Sequence, residues 1–309
     1  MNTHSLVSVI VPVYNQAHLL VYTLDSIVRN SYSNFELIII DDCSIDNSII
    51  VIEDWLKKQS NLRVTFVNNL INLGVTKTLN CGIMIAEGEF ITIIAADDIL
   101  LEDGILDRIN YLKDNPKKLA VFGNCDIIDI NGQVTTKNAI ENLIRNRSMN
   151  KALLNTSQSL YYEIIFRWSV PGPVFMCKKE FYRQIGLYDE SLEVEDLDMY
   201  IRAAKSKTLG FLDKNVSQYR IHGTSMTQGT MVPITIDAIV KTYLKHRKSG
   251  FVTYLRFTAR IYHVYRIKSQ KITPKIIYFV LSKVTLVIPE MFYNIRKYTI
   301  LLIKGGLND

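Results

Sequence analysis

Short β-branched runs alternate with helical patterns from Leu6 to Cys125, and this alternation limits the chain to a layered α/β domain. Leu6–Val11 is a compact apolar run closed by Pro12 and reads as a buried strand. Phe35–Ile40, Arg63–Val67, Phe90–Ile94 and Ala120–Cys125 repeat that signature. Between them, Ala17–Val28, Ser48–Lys58, Thr76–Ala86 and Gly104–Lys113 carry helical periodicity. The predicted architecture is a doubly wound, mostly parallel sheet with helices on both faces. Ligands bind beyond the carboxyl ends of strands in such sheets, so the polar residues there are the candidates for chemistry. They are Tyr14-Asn15, Asp41-Asp42, Asn68-Asn69 and Asp97-Asp98.

The later half is less regular. Asp129–Gly132 predicts a hairpin turn. Asn138–Arg167 is polar and then helical. Val174–Cys177 reads as a strand, Lys179–Ile185 and Glu195–Lys205 as helices, and Leu209–Tyr219 as a further strand. A length of 309 residues with 48% hydrophobic content supports a sizeable core. The cysteines, Cys43, Cys81, Cys125 and Cys177, lie far apart, which argues against a disulfide framework or a zinc site and for a reducing cytoplasm. MNTHSLVSVIVPVYN has no signal-peptide pattern.

The net charge of +6 hides an asymmetry. From Lys241 onward there are 14 Lys and Arg against two acids; the other 22 basic and 28 acidic residues give the body −6 and the tail +12. Such a tail calls for an anionic partner. In Phe251–Lys268, Phe251, Tyr254, Leu255, Tyr262 and Tyr265 share one helical face, with Arg256, Arg260, His263 and Arg266 opposite. This is the pattern of an interfacial membrane helix, although the same face also suits packing on the body. Its tyrosines favour lipid over nucleic acid as the partner. Ile276–Ile288 is too short to span a bilayer, which needs about 20 apolar residues.

Each candidate group has two readings on spacing alone. Asp97-Asp98 suits Mg2+ or Mn2+ holding a diphosphate, or a helix cap. Asp41-Asp42 suits hydrogen bonds to a ribose and a nucleobase respectively, or a turn and cap. Glu195-Asp196 opens a helix, as a general base or as a favourable charge on the helix dipole. His222 suits a metal or phosphate contact, or is a plain surface residue.

Taken in order, five segments resemble glycosyltransferase family 2, over Leu6 to Thr227. They are VSVIVPVYNQAHLL, FELIIIDDCSIDNS, NNLINLGVTKTLNCGIMIAEGEFITIIAADDIL, PGPVFMCKKEFYRQIGLYDESLEVEDLDMYIRAA and YRIHGTSMT. The resemblance implies the GT-A fold, a nucleotide-sugar donor (a UDP-sugar) and inverting transfer to a glycan acceptor. It implies that Pro12, Tyr14, Asp41 and Asp42 cradle the nucleoside, with Asn72 and Gly74 beside it. Asp97 matches the metal-coordinating second acid of the family's Asp-x-Asp motif, and Asp98 the acid after it. Asp196 matches the general base of a Glu195-Asp196 pair, and His222 a residue near the diphosphate or metal. Trp168 offers an indole for stacking on an acceptor sugar, or a core side chain. One departure stands out: Ala95 replaces the first acid of Asp-x-Asp.

The expected organisation is a GT-A domain over 1–230, in which residues 1–126 take the nucleotide-sugar and residues 127–230 the acceptor and the catalytic base. A basic amphipathic helical tail over 231–309 follows it. The expected setting is peripheral, on the cytoplasmic face of the cell membrane, with a polyprenyl-linked acceptor in O-antigen or capsule assembly. A nucleotide-binding oxidoreductase would need a Gly-rich turn after the first strand, where this chain has PVYNQA. A nucleotidyltransferase would need a Gly-rich, basic loop there. The competing reading is a membrane-docked sugar-nucleotide-binding protein without catalysis, with Ala95 as the reason.

Overall fold

The computed structural model describes residues 5–140, 160–161, 164, 172–192, 194–223, 225, 232–250, 253–254, 257–258 and 261. The alternation folds as its periods dictate. β1 (Val7–Val13), α1 (Leu20–Val28), β2 (Phe35–Asp41), α2 (Ser48–Leu56), β3 (Val64–Asn68), α3 (Val75–Ile85) and β4 (Phe90–Ile93) follow in order. The four strands pair in parallel as β3-β2-β1-β4. β1 is covered on both faces, which is why its sequence is nearly all apolar. Val7, Val9 and Val11 pack with Leu20, Leu24, Ile27 and Trp55 on the α1–α2 side. Ile10 packs with Ile38, Leu79 and Ile83 on the α3 side, as a strand's two-residue period requires. Each such side chain contributes about 1.5–3 kcal/mol by leaving water. Gly82 lets α3 sit this close: a Cβ there would meet Ile10 Cγ2 at 2.7 Å.

β5 (Ile99–Leu100), α4 (Gly104–Asp114), β6 (Ala120–Ile128), β7 (Val134–Thr136), β8 (Phe175–Lys178), α5 (Lys179–Ile185), α6 (Asp196–Lys205), β9 (Leu209–Arg220) and α7 (Val232–His246) complete the described elements. The sheet continues β4-β8-β6-β9-β5, with β7 on β6. Here the parallel pattern breaks. β8 lies antiparallel to both β4 and β6, β5 is antiparallel to β9, and only β6 and β9 pair in parallel. The sheet is therefore mixed, and the mostly parallel expectation describes its first half.

Arg108 straps this junction. It is fully buried, and its Nη1 donates to Thr92 Oγ1 of β4 at 2.9 Å and to the Phe175 carbonyl of β8 at 3.0 Å. Burial lowers its pKa to about 9. The predicted hairpin forms: Asp129 Oδ1 accepts from the Asn131 and Gln133 amides, and β7 returns along β6. The four cysteines are free.

Among the described residues no helix is long and apolar enough to cross a membrane. Most of the predicted tail face lies outside them. Within them, Tyr254 is exposed and has Arg247 over its ring, whereas Thr253, Phe257 and Ile261 are buried. Phe257 stacks on Tyr243 of α7. The first turns of that segment thus pack inward on a face one step round from the predicted one.

Candidate active site

The carboxyl edge of the parallel half is built by two loops gripping each other. The Asn15 amide donates to Ser44 Oγ, the Gln16 amide to Ser48 Oγ and the Ala17 amide to Asp46 Oδ2. Asn15 Oδ1 accepts from the Ile45 amide in return. Asn15 and Cys43 hold positive φ of 54° and 63°, a strained backbone of the kind that clusters at functional sites. Pro12 sits in β1 opposite Ile40, and Tyr14 is exposed at the mouth.

Asp41 and Asp42 divide sharply. Asp42 Oδ1 accepts from the Leu73 amide and Asn69 Nδ2, and Oδ2 from the Gly74 amide. Both oxygens are therefore engaged in pinning loop 69–74. Asn72 Oδ1 also accepts from the Gly74 amide, at 3.1 Å. Gly74 caps α3 at φ 83°, a backbone that disfavours side chains. Both Asp42 oxygens thus meet protein donors where the sequence reading expected a nucleobase contact, and three donors leave the carboxylate part of its accepting capacity. Asp41 is different: Oδ1 accepts from the Ser44 amide, but the buried Oδ2 has no partner.

Asp97 and Asp98 divide differently: one faces His222 and the other is buried. Asp97 Oδ2 lies 2.9 Å from His222 Nε2, across 125 positions of sequence. Asp98 is 1% exposed; its Oδ1 accepts from the Arg220 amide and its main-chain carbonyl accepts from Thr23 Oγ1. Burial, then the neighbouring Asp97 charge, pushes its pKa well up. Where the sequence reading expected Asp98 to share a metal with Asp97, its Oδ1 locks the end of β9 to the loop after β4, and its buried Oδ2 has no partner. Arg220 completes the lock, with Nε donating to the Asp97 carbonyl and Nη1 to the Asp129 and Ile130 carbonyls. The sequence reading missed Arg220; its place two residues before His222 at a strand end is the signal. His18 was missed too, and its ring stands edge-on to His222 at 6.3 Å.

Among the described residues no three His, Cys, Asp or Glu side chains gather into a metal cage. The Asp97–His222 pair nonetheless fits a divalent ion. Two ligands bound at about 2.1 Å and at right angles stand about 3 Å apart, as these two donors do, and Mg2+ takes most of its remaining ligands from phosphates and water.

Glu195 and Asp196 come together at the start of α6, Glu195 as its cap residue. Asp196 Oδ1 is sealed from solvent with no partner. Burial first, and then the charge of Glu195, raises the Asp196 pKa to about 8. Burial also raises that of Glu195. Tyr188 and Tyr200 feel these carboxylates, and burial pushes both phenols up. Asn80 of α3 ties the parallel half of the sheet to this region: its Nδ2 donates to the Tyr188 carbonyl, and its Oδ1 accepts from the Tyr188 amide. Trp168 lies outside the described residues.

The model of glycosyl transferase family 2 matches residues 8–168. The chain belongs to that family. Among its relatives are GlyG, a glycosyltransferase of Streptococcus pneumoniae, 38% identical over 32% of this chain and 33% of its own, and WcaA of Escherichia coli, provisionally named a colanic acid biosynthesis glycosyl transferase, 37% identical over 32% and 34%. The matched stretches thus span about a third of these relatives. A glycosyltransferase of Haemophilus influenzae is 24% identical over 97% of this chain and 90% of its own. Two solved structures share the fold at a TM-score of 0.62. TarS of S. aureus in complex with UDP-GlcNAc covers 89% of this chain and 79% of its own at 18% identity. The mannosyltransferase PcManGT of Pyrobaculum calidifontis, in complex with GDP-Man and Mn2+, covers 99% and 88% at 16%. Family 2 membership and the GT-A architecture follow.

Proposed function

We propose that this chain transfers a sugar from a nucleotide-sugar, a UDP-sugar, to a glycan acceptor in a single inverting displacement. The observation that carries this reading is the meeting of Asp97 and His222 at the carboxyl edge of the sheet, 2.9 Å apart. Asp97 and His222 would hold Mg2+ or Mn2+, which when bound supplies positive charge to the departing nucleoside diphosphate. Asp41 accepts from the nucleoside through its unpartnered Oδ2, and Tyr14 and Pro12 line the same edge. Asp42, Asn72 and Gly74 shape that pocket from behind.

Asp196 takes the proton from an acceptor hydroxyl as that oxygen attacks the anomeric carbon. A base with a pKa of about 8 is well matched to this task near neutral pH. Glu195 raises the basicity of its neighbour by charge repulsion. The basic tail supports an acceptor held at an anionic membrane surface, such as a polyprenyl-linked glycan on the cytoplasmic face. The provisional naming of WcaA supports a place in surface polysaccharide assembly.

The competing reading, binding without catalysis, draws on Ala95, which leaves the ion one acid fewer. Release of nucleoside diphosphate from a panel of UDP- and GDP-sugars, with Mn2+ or chelator and with lipid-linked acceptor extract, separates the two. Metal-dependent release from one donor, lost in Asp97→Ala, is the expected result. Donor binding with no release under any condition would leave the binding-only reading standing.

A further inference from the structure

Asp198 lies two positions beyond Asp196 and is a buried carboxylate with three basic partners. It is 0% exposed. Its Oδ1 lies 2.7 Å from both His246 Nε2 and Lys245 Nζ, and its Oδ2 accepts from Arg202 Nε at 2.8 Å. These partners hold it ionised, well below the usual carboxylate range despite its burial. Two of them, Lys245 and His246, close the last turn of α7. The pairing reaches further. Arg202 Nη1 and Nη2 donate to the carbonyls of Ile185, Gly186 and Leu187, and Lys245 also bonds Asp189 Oδ2 at 2.7 Å. The loop so held carries Tyr188, which Asn80 grips from the parallel half of the sheet.

We propose that α7 is a working element of the site: through Lys245 and His246 on Asp198 it sets the position of α6, making His246 and Asp198 positioning residues for Asp196. The inference rests on the reading of Asp196 as the base. A helix is stiff, and two residues span only about 3 Å of its axis, so a carboxylate clamped at position 198 fixes the one at 196. A buried carboxylate with cationic donors on several sides has one favourable location, whereas apolar packing alone would let α6 slide. Displacing a catalytic group by about 1 Å costs on the order of a hundredfold in rate. The start of the C-terminal region, expected from sequence to be a basic amphipathic helical tail, is on this view required for turnover.

The test uses the full chain and the donor identified by the release panel. His246→Leu combined with Lys245→Met is expected to lower kcat about ten- to a hundredfold, with donor KM and calorimetric binding of UDP with Mn2+ unchanged. His246→Gln keeps an N–H for Asp198 and is expected to recover most of the loss seen in His246→Leu alone. Wild-type kcat in the double variant overturns the inference. So does a parallel loss of kcat and UDP binding that Gln does not rescue, since that marks general unfolding. Asp196→Asn is measured alongside. If it retains turnover, the base reading falls and this inference with it; if it is inactive while the double variant is normal, the inference falls alone.

Discussion

Asp42 and Asp196 are the same side chain used in opposite ways on the two halves of the molecule. Asp42 is buried with both oxygens satisfied, by the Leu73 and Gly74 amides and Asn69. Asp196 has an oxygen sealed from water with no donor, next to a second carboxylate. The first arrangement stabilises a loop, because each bond replaces one lost to water. The second stores unfavourable desolvation and so raises the carboxyl's pKa, the property the proposed base needs. The contrast teaches that one buried aspartate is set by hydrogen bonding and the other by withholding it.

The largest expected effect breaks the acceptor side. Asp196→Asn should lower kcat by about 10²–10⁴ while leaving UDP binding intact, measured by turnover and calorimetry. The same change should sharpen the stability side of the contrast. With a folded pKa of about 8, well above the unfolded value, Asp196 holds a proton in the folded state that the unfolded chain releases. Wild-type stability therefore declines as pH rises from about 4 to 8, and the melting-temperature advantage of Asp196→Asn should grow across that window.

The donor side should break differently. Asp42→Asn puts an amide N–H against main-chain donors, so donor KM should rise about ten- to a hundredfold, the equivalent of about 1–3 kcal/mol. Its kcat should change less than in Asp196→Asn; the reverse order would erase the distinction between the two halves. A comparable effect is expected from pH: kcat should climb about tenfold per unit up to pH about 8 and then level, as the proposed base loses its proton. A flat profile from pH 6 to 9 would remove Asp196 from that role. Smallest is Arg220→Lys, which keeps the charge but not the fork that joins the Asp97 carbonyl to those of Asp129 and Ile130. The Mn2+ concentration for half-maximal turnover should rise about three- to tenfold.

Much of the first half was legible in sequence because its periods are local. The runs at Leu6–Val11, Phe35–Ile40 and Phe90–Ile94 are strands for the same reason in any context: both faces are covered and the residues are β-branched. The acid pairs after them fell at the carboxyl edge as such sheets require. What could not be read was the direction of individual side chains. Asp97 and Asp98 are equal as letters, yet one meets His222 and the other turns inward to Arg220. Asp41 and Asp42 differ likewise, because which oxygen finds a donor depends on loop 69–74.

The sequence by itself determined the layered α/β class, the order of β1 to β4, and which short segments carry acids to the site. These follow from hydrophobic period and turn chemistry, which act over a few residues. Only the tertiary structure decided that β8 enters the sheet antiparallel, that Asp42 braces loop 69–74 and Asp98 the end of β9, and that the last turn of α7 reaches back to Asp198. Those outcomes rest on contacts between residues far apart in the chain. Their energies come from burial and pairing, which no local pattern records.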